Sequence, residues 1–420
     1  MLRAISAIAI VTSLTVSALA EPDWNQWRGP QRDGKSTATG LSHDWSVTPP
    51  ELIWQSKGLG KGYSSVAIAN GRIFTLGFLD GQESLIAIDL ENGERLWATP
   101  FGKGDHSNGT PTVDGDRVYA VGLNGDLICA EVGTGREIWK KDFGEDFGGK
   151  MMSGWGYSES PLIDGDRLIC TPGGSDAVIV ALDKHSGETI WQSKAAQDPG
   201  PKGKDGAGYS SIVVSNACGE KQFIQLTGRG VIGVRASDGE LLWQYNTVAN
   251  DVANIPTPII WDDFVFCSTG YGTGAALLKL QREGNDITAE EVYFLDANTF
   301  QNHHGGMIRV GDHLYAGHKH NQGFPICLDL TTGSVVWGGD KRGPGTGSAA
   351  IVFADQHLIY RYQDGVIALI EATPTEYKLK GQFKPVFQEG RSWAHPVVYE
   401  GKLYLREQNS LMCYDIAESP

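Results

Sequence analysis

Apolar residues along this chain come in short runs that alternate with polar positions and stop at Gly, Asp or Asn. Pro111–Thr–Val113 is one run, Asp114–Gly115–Asp116 a tight turn, and Arg117–Val–Tyr–Ala–Val121 the next run. A loop at Leu123–Asn–Gly125 leads to Leu127–Ile–Cys–Ala–Glu131, and a turn at Gly135 leads to Glu137–Ile–Trp139. Side chains alternate between faces along a strand, so a period of two bounded by turn-formers marks a half-buried strand. The segment predicts four antiparallel strands. No stretch carries a helical apolar period of useful length.

The same phrase closes unit after unit. It reads Asp89…Gly93…Trp97, Glu131…Gly135…Trp139, Asp183…Gly187…Trp191, Arg235…Gly239…Trp243 and Asp329…Gly333…Trp337. The phrase-ending aromatics are Trp54, Trp97, Trp139, Trp191, Trp243, Tyr293, Trp337 and Tyr377, spaced 40 to 52 residues apart. Tandem four-stranded units of this length predict an all-β, eight-bladed β-propeller, because one such unit cannot bury both of its faces alone. The segment after Trp393 supplies three strands without a closing one, and Glu51–Leu–Ile–Trp54 has no strands before it. The N-terminal strand is therefore expected to complete the last blade. The repeated Trp residues are read as rings packed between blades.

Residues 1–20 have the basic start, short apolar run and Ala18–Leu19–Ala20 end of a secretory signal, with cleavage expected after Ala20. The expected organisation is a signal at 1–20, a lead segment at 21–50 and the propeller at 51–420. The run is too short for a comfortable membrane span, and no Cys follows the expected cleavage site to carry a lipid. An exported protein, periplasmic or secreted and monomeric, is the expectation. A net charge of −15 argues against nucleic-acid binding, which needs a basic footprint. Six cysteines in an exported chain raise the question of disulfides. Cys129, Cys327 and Cys413 share one blade position with Ala87, Ala181, Gly233 and Ala368, where a small residue is wanted, so free thiols are expected.

Candidate chemistry gathers in the loops that link blades and in those between second and third strands, which share one face of a propeller. His303, His304, His318 and His320 fall on two such loops of the sixth blade. They form either a metal site or a set of hydrogen-bonded and solvated rings. Arg229, Arg361 and Arg406 end second strands; they either converge on the channel mouth to bind a planar carboxylate or pair with local acids such as Asp364 and Glu407. Trp155, Tyr157 and Trp393 stand on blade-linking loops beside Glu159. The opposite face reads as turns. No phosphate loop, G-x-S-x-G or H-E-x-x-H is present.

The repeated phrase, best seen at Ala87–Ile–Asp89…Gly93…Trp97, resembles the tryptophan-docking motif of the pyrroloquinoline-quinone (PQQ)-type propellers. The lead Trp24–Asn–Gln–Trp27–Arg–Gly–Pro30 is similar to the start of many exported proteins with these repeats. That superfamily includes quinoprotein alcohol dehydrogenases and an outer-membrane assembly scaffold. The resemblance implies PQQ and Ca²⁺ on the axis where the member is an enzyme, usually with adjacent paired cysteines and an Asp base; this chain has no adjacent Cys pair. The expected function is a scaffold binding a small molecule, a glycan or an exported protein through its His/Trp/Arg-rich face. One alternative is a dehydrogenase of alcohols or sugars, with Trp155, Tyr157, Arg229, Arg361, Trp393 and Arg406 around PQQ and Glu159 as base. Another is metal or carbohydrate binding at the same mouth.

Overall fold

The computed structural model describes residues 21–418, so the expected signal lies outside the described residues. Strands assemble into eight four-stranded antiparallel sheets, seven of them running from the axis outwards in chain order. Seven blades are contiguous, at 67–102, 112–142, 162–193, 213–245, 259–296, 302–338 and 349–383. The eighth takes three strands from 397–415 and its outer strand from Glu51–Lys57, which pairs antiparallel with Ser410–Asp415. The ring is thus closed by the N-terminal strand. Among the described residues no helix is long and apolar enough to cross a membrane.

The repeated phrase is the joint between blades. The Asp89 carboxylate accepts the backbone N–H groups of Glu91 and Asn92, which tightens the turn. Gly93 and Gly135 close their turns at φ values of +74° and +72°, where glycine is favoured. The ring of the preceding blade lies flat on that glycine: a methyl group on Gly135 would stand 2.5 Å from Trp97 Cε3, and one on Gly93 would stand 2.6 Å from Trp54 Cε3. The indole N–H then donates to a carbonyl of the next blade, Trp97 to Val132, Trp139 to Lys184 and Trp337 to Thr373. Tyr293 makes the same contact through its hydroxyl, to Leu330. Opposite each ring stands a small residue such as Ala87, Cys129 or Cys327, because the strand bulges there and leaves little room. All six cysteines are unpaired thiols.

Two blades depart from the pattern. The fifth replaces the turn with a long hairpin of Gly274–Glu283 and Asp286–Asp296, and Trp243 instead donates to Gln222 within its own blade. In the seventh, Tyr377 precedes the outer strand Leu379–Phe383 rather than ending it, and Gln382 pairs with Ala368. The reading of Tyr377 as a phrase-ending residue of that strand is corrected accordingly. A ring is nonetheless supplied there by the lead segment. Trp45 is buried, its backbone N–H donates to the Lys380 carbonyl, its backbone and Cβ stand beside Gly381, and its ring meets Phe383 edge-on with centroids 5.6 Å apart.

The lead segment begins on the axis and ends at the rim. Ile68 N–H donates to the Trp24 carbonyl and Val113 N–H to that of Asn25, tying the segment to blades one and two. Arg32 donates to the carbonyls of Ser160 and Pro161 in blade three, and Arg28 to that of Met307 in blade six. Residues 24–34 therefore plug the channel from the turn-bearing face. The chain then pairs beside Phe353, passes the Asp355 turn and reaches Trp45 before entering the eighth blade.

Candidate functional site

Above the plug, on the face of blade-linking loops, lies an axial cavity of about 580 Å³. Tyr63, His106, Trp155, Tyr209, Trp393 and His395 reach it from blade-linking loops, His303 and His304 from the irregular start of the strand Asn302–Val310, and Tyr271 and His320 from loops between second and third strands. Trp27 and Arg28 of the plug contribute to it from below. Aromatic walls with a few fixed polar groups are the usual build of a ligand pocket.

The rings brace one another. Tyr63 tilts against Trp393 with centroids 4.9 Å apart, Trp393 meets the His304 edge at 5.0 Å, and Tyr271 lies 4.3 Å from His320. Trp393 donates its indole N–H to Gln363 at 2.7 Å, and Arg391 sits over the indole at 4.9 Å. Trp155 stands half out of the mouth, 55 % exposed. Its loop is anchored by Asn108, which donates to the Trp155 carbonyl at 3.0 Å.

Burial keeps the histidines neutral. It pushes His303 down to about 2, helped by the nearby His304 and His320, and holds His304 and His395 down to about 3. His303 hydrogen-bonds Ser348 through Nδ1 and Tyr271 through Nε2. His395 Nε2–H donates to the His304 carbonyl at 3.0 Å, which fixes its tautomer and leaves Nδ1 as a bare acceptor. His304 Nε2 and His320 Nδ1 are likewise buried without a partner.

The structure brings Trp155, Trp393, His303, His304 and His320 to the cavity and leaves the other candidates elsewhere. His318 turns away, stacks on Phe300 and accepts the Gln301 N–H. Among the described residues no three His, Cys, Asp or Glu side chains group in a metal-holding arrangement; His303 packs on His304 and His320, and His318 stands apart from them. Tyr157 is buried between blades and donates to the Pro172 carbonyl. Arg229 pairs with Asp205 in a separate groove. Arg361 is buried against Glu407, 2.5 Å away, and Arg406 donates to the carbonyls of Leu59 and Gly60. These three arginines satisfy the structure locally and do not converge. Glu159 is fully buried, accepts both the N–H and hydroxyl of Thr171 at 2.6 Å, and is pushed up to about 7 by burial. Lys61, Tyr63 and Arg391 are absent from the sequence reading of the site, and so are Trp27 and Arg28 of the plug. The signal of the last two was the Trp24–Pro30 phrase, whose place on the axis only the fold reveals.

Among the described residues no carboxylate lines the cavity. Ca²⁺ takes six to eight oxygen ligands, usually with carboxylates among them. A donor set of imidazoles, rings and three cations does not fit it. A planar anionic quinone would find cations and rings here, but no carboxylates among the described lining residues to hold a calcium that would polarise its carbonyl.

Comparison with known proteins agrees with this architecture. The outer membrane protein assembly factor BamB of Kangiella koreensis is 27% identical over 221 residues, covering 50% of this chain and 49% of that protein. The match thus spans about half the length of that relative. The crystal structure of BamB from Moraxella catarrhalis superposes with a TM-score of 0.63 at 15% identity, covering 87% of this chain and 99% of that one. A europium-containing methanol dehydrogenase superposes at 0.66 with 13% identity, covering 91% of this chain and 89% of that one. At such identities these two show the fold alone. The family model described as outer membrane protein assembly factor BamB matches residues 81–338, and the chain belongs to this family of PQQ-like β-propellers.

Proposed function

We propose that this protein is an exported binding propeller, monomeric, whose axial cavity holds a ligand or a segment of an exported partner. One observation carries the reading: rings and neutral histidines from separate blades converge on one 580 Å³ cavity that no internal side chain fills. The name of the Kangiella koreensis relative concerns outer-membrane assembly, and the apolar run at residues 4–19 supports export for this chain as well. The dehydrogenase reading lacks a carboxylate in the cavity to act as base. Glu159, its candidate, is enclosed by Thr171 and Gln225. The metal reading lacks a third ligand among the described residues.

The test is titration of the purified protein with a panel of envelope polysaccharide fragments, small aromatic acids, and PQQ with and without Ca²⁺, followed by tryptophan fluorescence. Saturable binding near one per chain that is lost in Trp393→Ala supports the cavity as the site. Ca²⁺-dependent PQQ binding would replace the reading with the dehydrogenase. No binding across the panel would sink it.

A further inference from the structure

The charge of the cavity is opposite to that of the chain. The protein carries −15, yet the charged side chains lining the cavity are Arg28, Lys61 and Arg391, without an Asp or Glu among the described residues. Arg28 is the informative one. It is 4% exposed, held from one side by its donation to the carbonyls of Met307 and Asp33. Its Nη1 and Nε have no acceptor in the protein. Nη1 lies beside Gly306, where a methyl group would approach it to 3.2 Å, and Gly306 itself lines the cavity. A buried guanidinium N–H without a partner is costly, and an anionic oxygen such as a carboxylate's is a strong acceptor for the free Nη1.

The neighbouring groups ask for something else. His395 is 8% exposed, and its bare Nδ1 can only accept a hydrogen bond, as its Nε2–H is already spent on the His304 carbonyl. A ligand that meets it must bring a donor such as a hydroxyl. Trp155, Trp393, Tyr63 and Tyr271 offer flat apolar faces around these polar groups. Carboxylate, hydroxyls and flat ring faces occur together in an acidic sugar.

We infer that the cavity recognises the uronic acid unit of an acidic polysaccharide, its carboxylate on Arg28 at the floor and its hydroxyls on the free histidine nitrogens. The inference rests on the cavity being a ligand site, as proposed above. Lys61 and Arg391 draw the anionic chain to the mouth, and the aromatic rings stack on successive sugar faces.

The experiment is calorimetric titration of the purified protein with three probes: a trigalacturonate, the neutral trigalactose and naphthoate. Trigalacturonate is expected to bind at least about tenfold tighter than trigalactose, a ratio equivalent to about 1.4 kcal/mol, and to weaken as salt rises. Arg391→Ala and Lys61→Ala, both at exposed positions, should each lower its affinity several-fold without changing the fold. Arg28→Lys keeps the charge and loses the Nη1 donor; its circular dichroism separates a lost plug from a lost contact. Equal binding of trigalactose, or naphthoate binding as tightly as trigalacturonate, overturns the inference and leaves the cavity as a ligand site. Failure of all three probes overturns the inference, and only a blank across the wider panel also removes the underlying reading.

Discussion

At the rim of this propeller, Trp97, Trp139 and Trp337 each repeat one contact: a ring on the neighbouring turn and an indole N–H on a carbonyl beyond it. At the axis, charged residues are satisfied in several different ways. Arg361 is paired with Glu407, Arg406 is held by carbonyls, Glu159 is enclosed by hydroxyl and amide, and Arg28 is left partly free. The rim solves one packing problem many times, so its residues recur. The axis is where the ring must close, be plugged and leave room for a ligand, so each blade meets a different demand. Repetition therefore reports stability, and its absence points to the site.

The largest expected effect tests the axis. Arg361 and Glu407 are each 1% exposed in their side chains, so removing one leaves the other buried and uncompensated. Arg361→Met should cost about 3–5 kcal/mol in urea denaturation. Arg361→Met with Glu407→Leu should recover most of that loss. If the double variant is as unstable as the single one, the pair is not the cause. Next come the rims. Trp139→Ala should cost about 3 kcal/mol, the usual penalty for removing a packed large ring. Trp45→Ala should cost a similar amount, because its buried ring packs on Phe383 in the one blade whose outer strand pairs Gln382 rather than an aromatic with the small position Ala368. A neutral Trp45→Ala would mean that the lead is an ornament on a ring already closed.

Trp45 also marks what the sequence could tell. The repeat exposed the blade count, the closing strand and the shared small position of Cys129, Cys327 and Cys413, because those depend on periodic packing. It misplaced Tyr377, since the spacing of aromatics continues there while the docking partner comes from residue 45, far away in the chain. The site was half legible. Trp155, Trp393 and His320 stand on loops that propeller geometry sends to one face, and His303 and His304 open the strand Asn302–Val310 beside them. Arg229, Arg361 and Arg406 were indistinguishable from them by strand position, because whether a guanidinium finds a local carbonyl or carboxylate is decided by contacts between blades. Arg28 carried no positional signal, as the axis is occupied by a segment outside the repeat.

Acid should sharpen the contrast further. His303, His304, His318 and His395 have folded pKa values of about 2, 3, 4 and 3, below the unfolded value of 6.5. The unfolded chain takes up these protons first, so their contribution is present above about pH 6.5 and is lost as the pH falls below it. Glu83 and Glu159 act in the opposite sense. Their folded values near 7 exceed the unfolded 4.5, so the folded state gains stability from them as the pH falls from about 7 to 4.5. Four histidines outweigh two carboxylates. Stability should fall by about 3 kcal/mol between pH 6.5 and 5, given roughly 1.4 kcal/mol per group and pH unit and partial titration at pH 6.5. Urea denaturation at both pH values measures it, and His304→Gln with His395→Gln should flatten the dependence. A rise in stability towards pH 5 would mean that the carboxylates dominate.

The smallest expected effect on folding is the most informative about function. Trp155 is 55% exposed at the mouth and packs against little that a truncation would open. Trp155→Ala should change stability by less than about 0.5 kcal/mol, as surface substitutions away from buried features do. Trp139→Ala, at the rim, should do the reverse: it weakens the ring and leaves the cavity walls in place at temperatures where the protein remains folded. If the axis is a ligand site, Trp155→Ala lowers affinity for the bound sugar several-fold at unchanged unfolding midpoint, and Trp139→Ala lowers the midpoint at unchanged affinity. That crossed pattern cannot arise from general destabilisation, because each variant moves only one of the two readouts. Should Trp155→Ala leave both untouched, the mouth ring contributes nothing to recognition, and the contact must lie deeper, between Trp393 and the Arg28 floor.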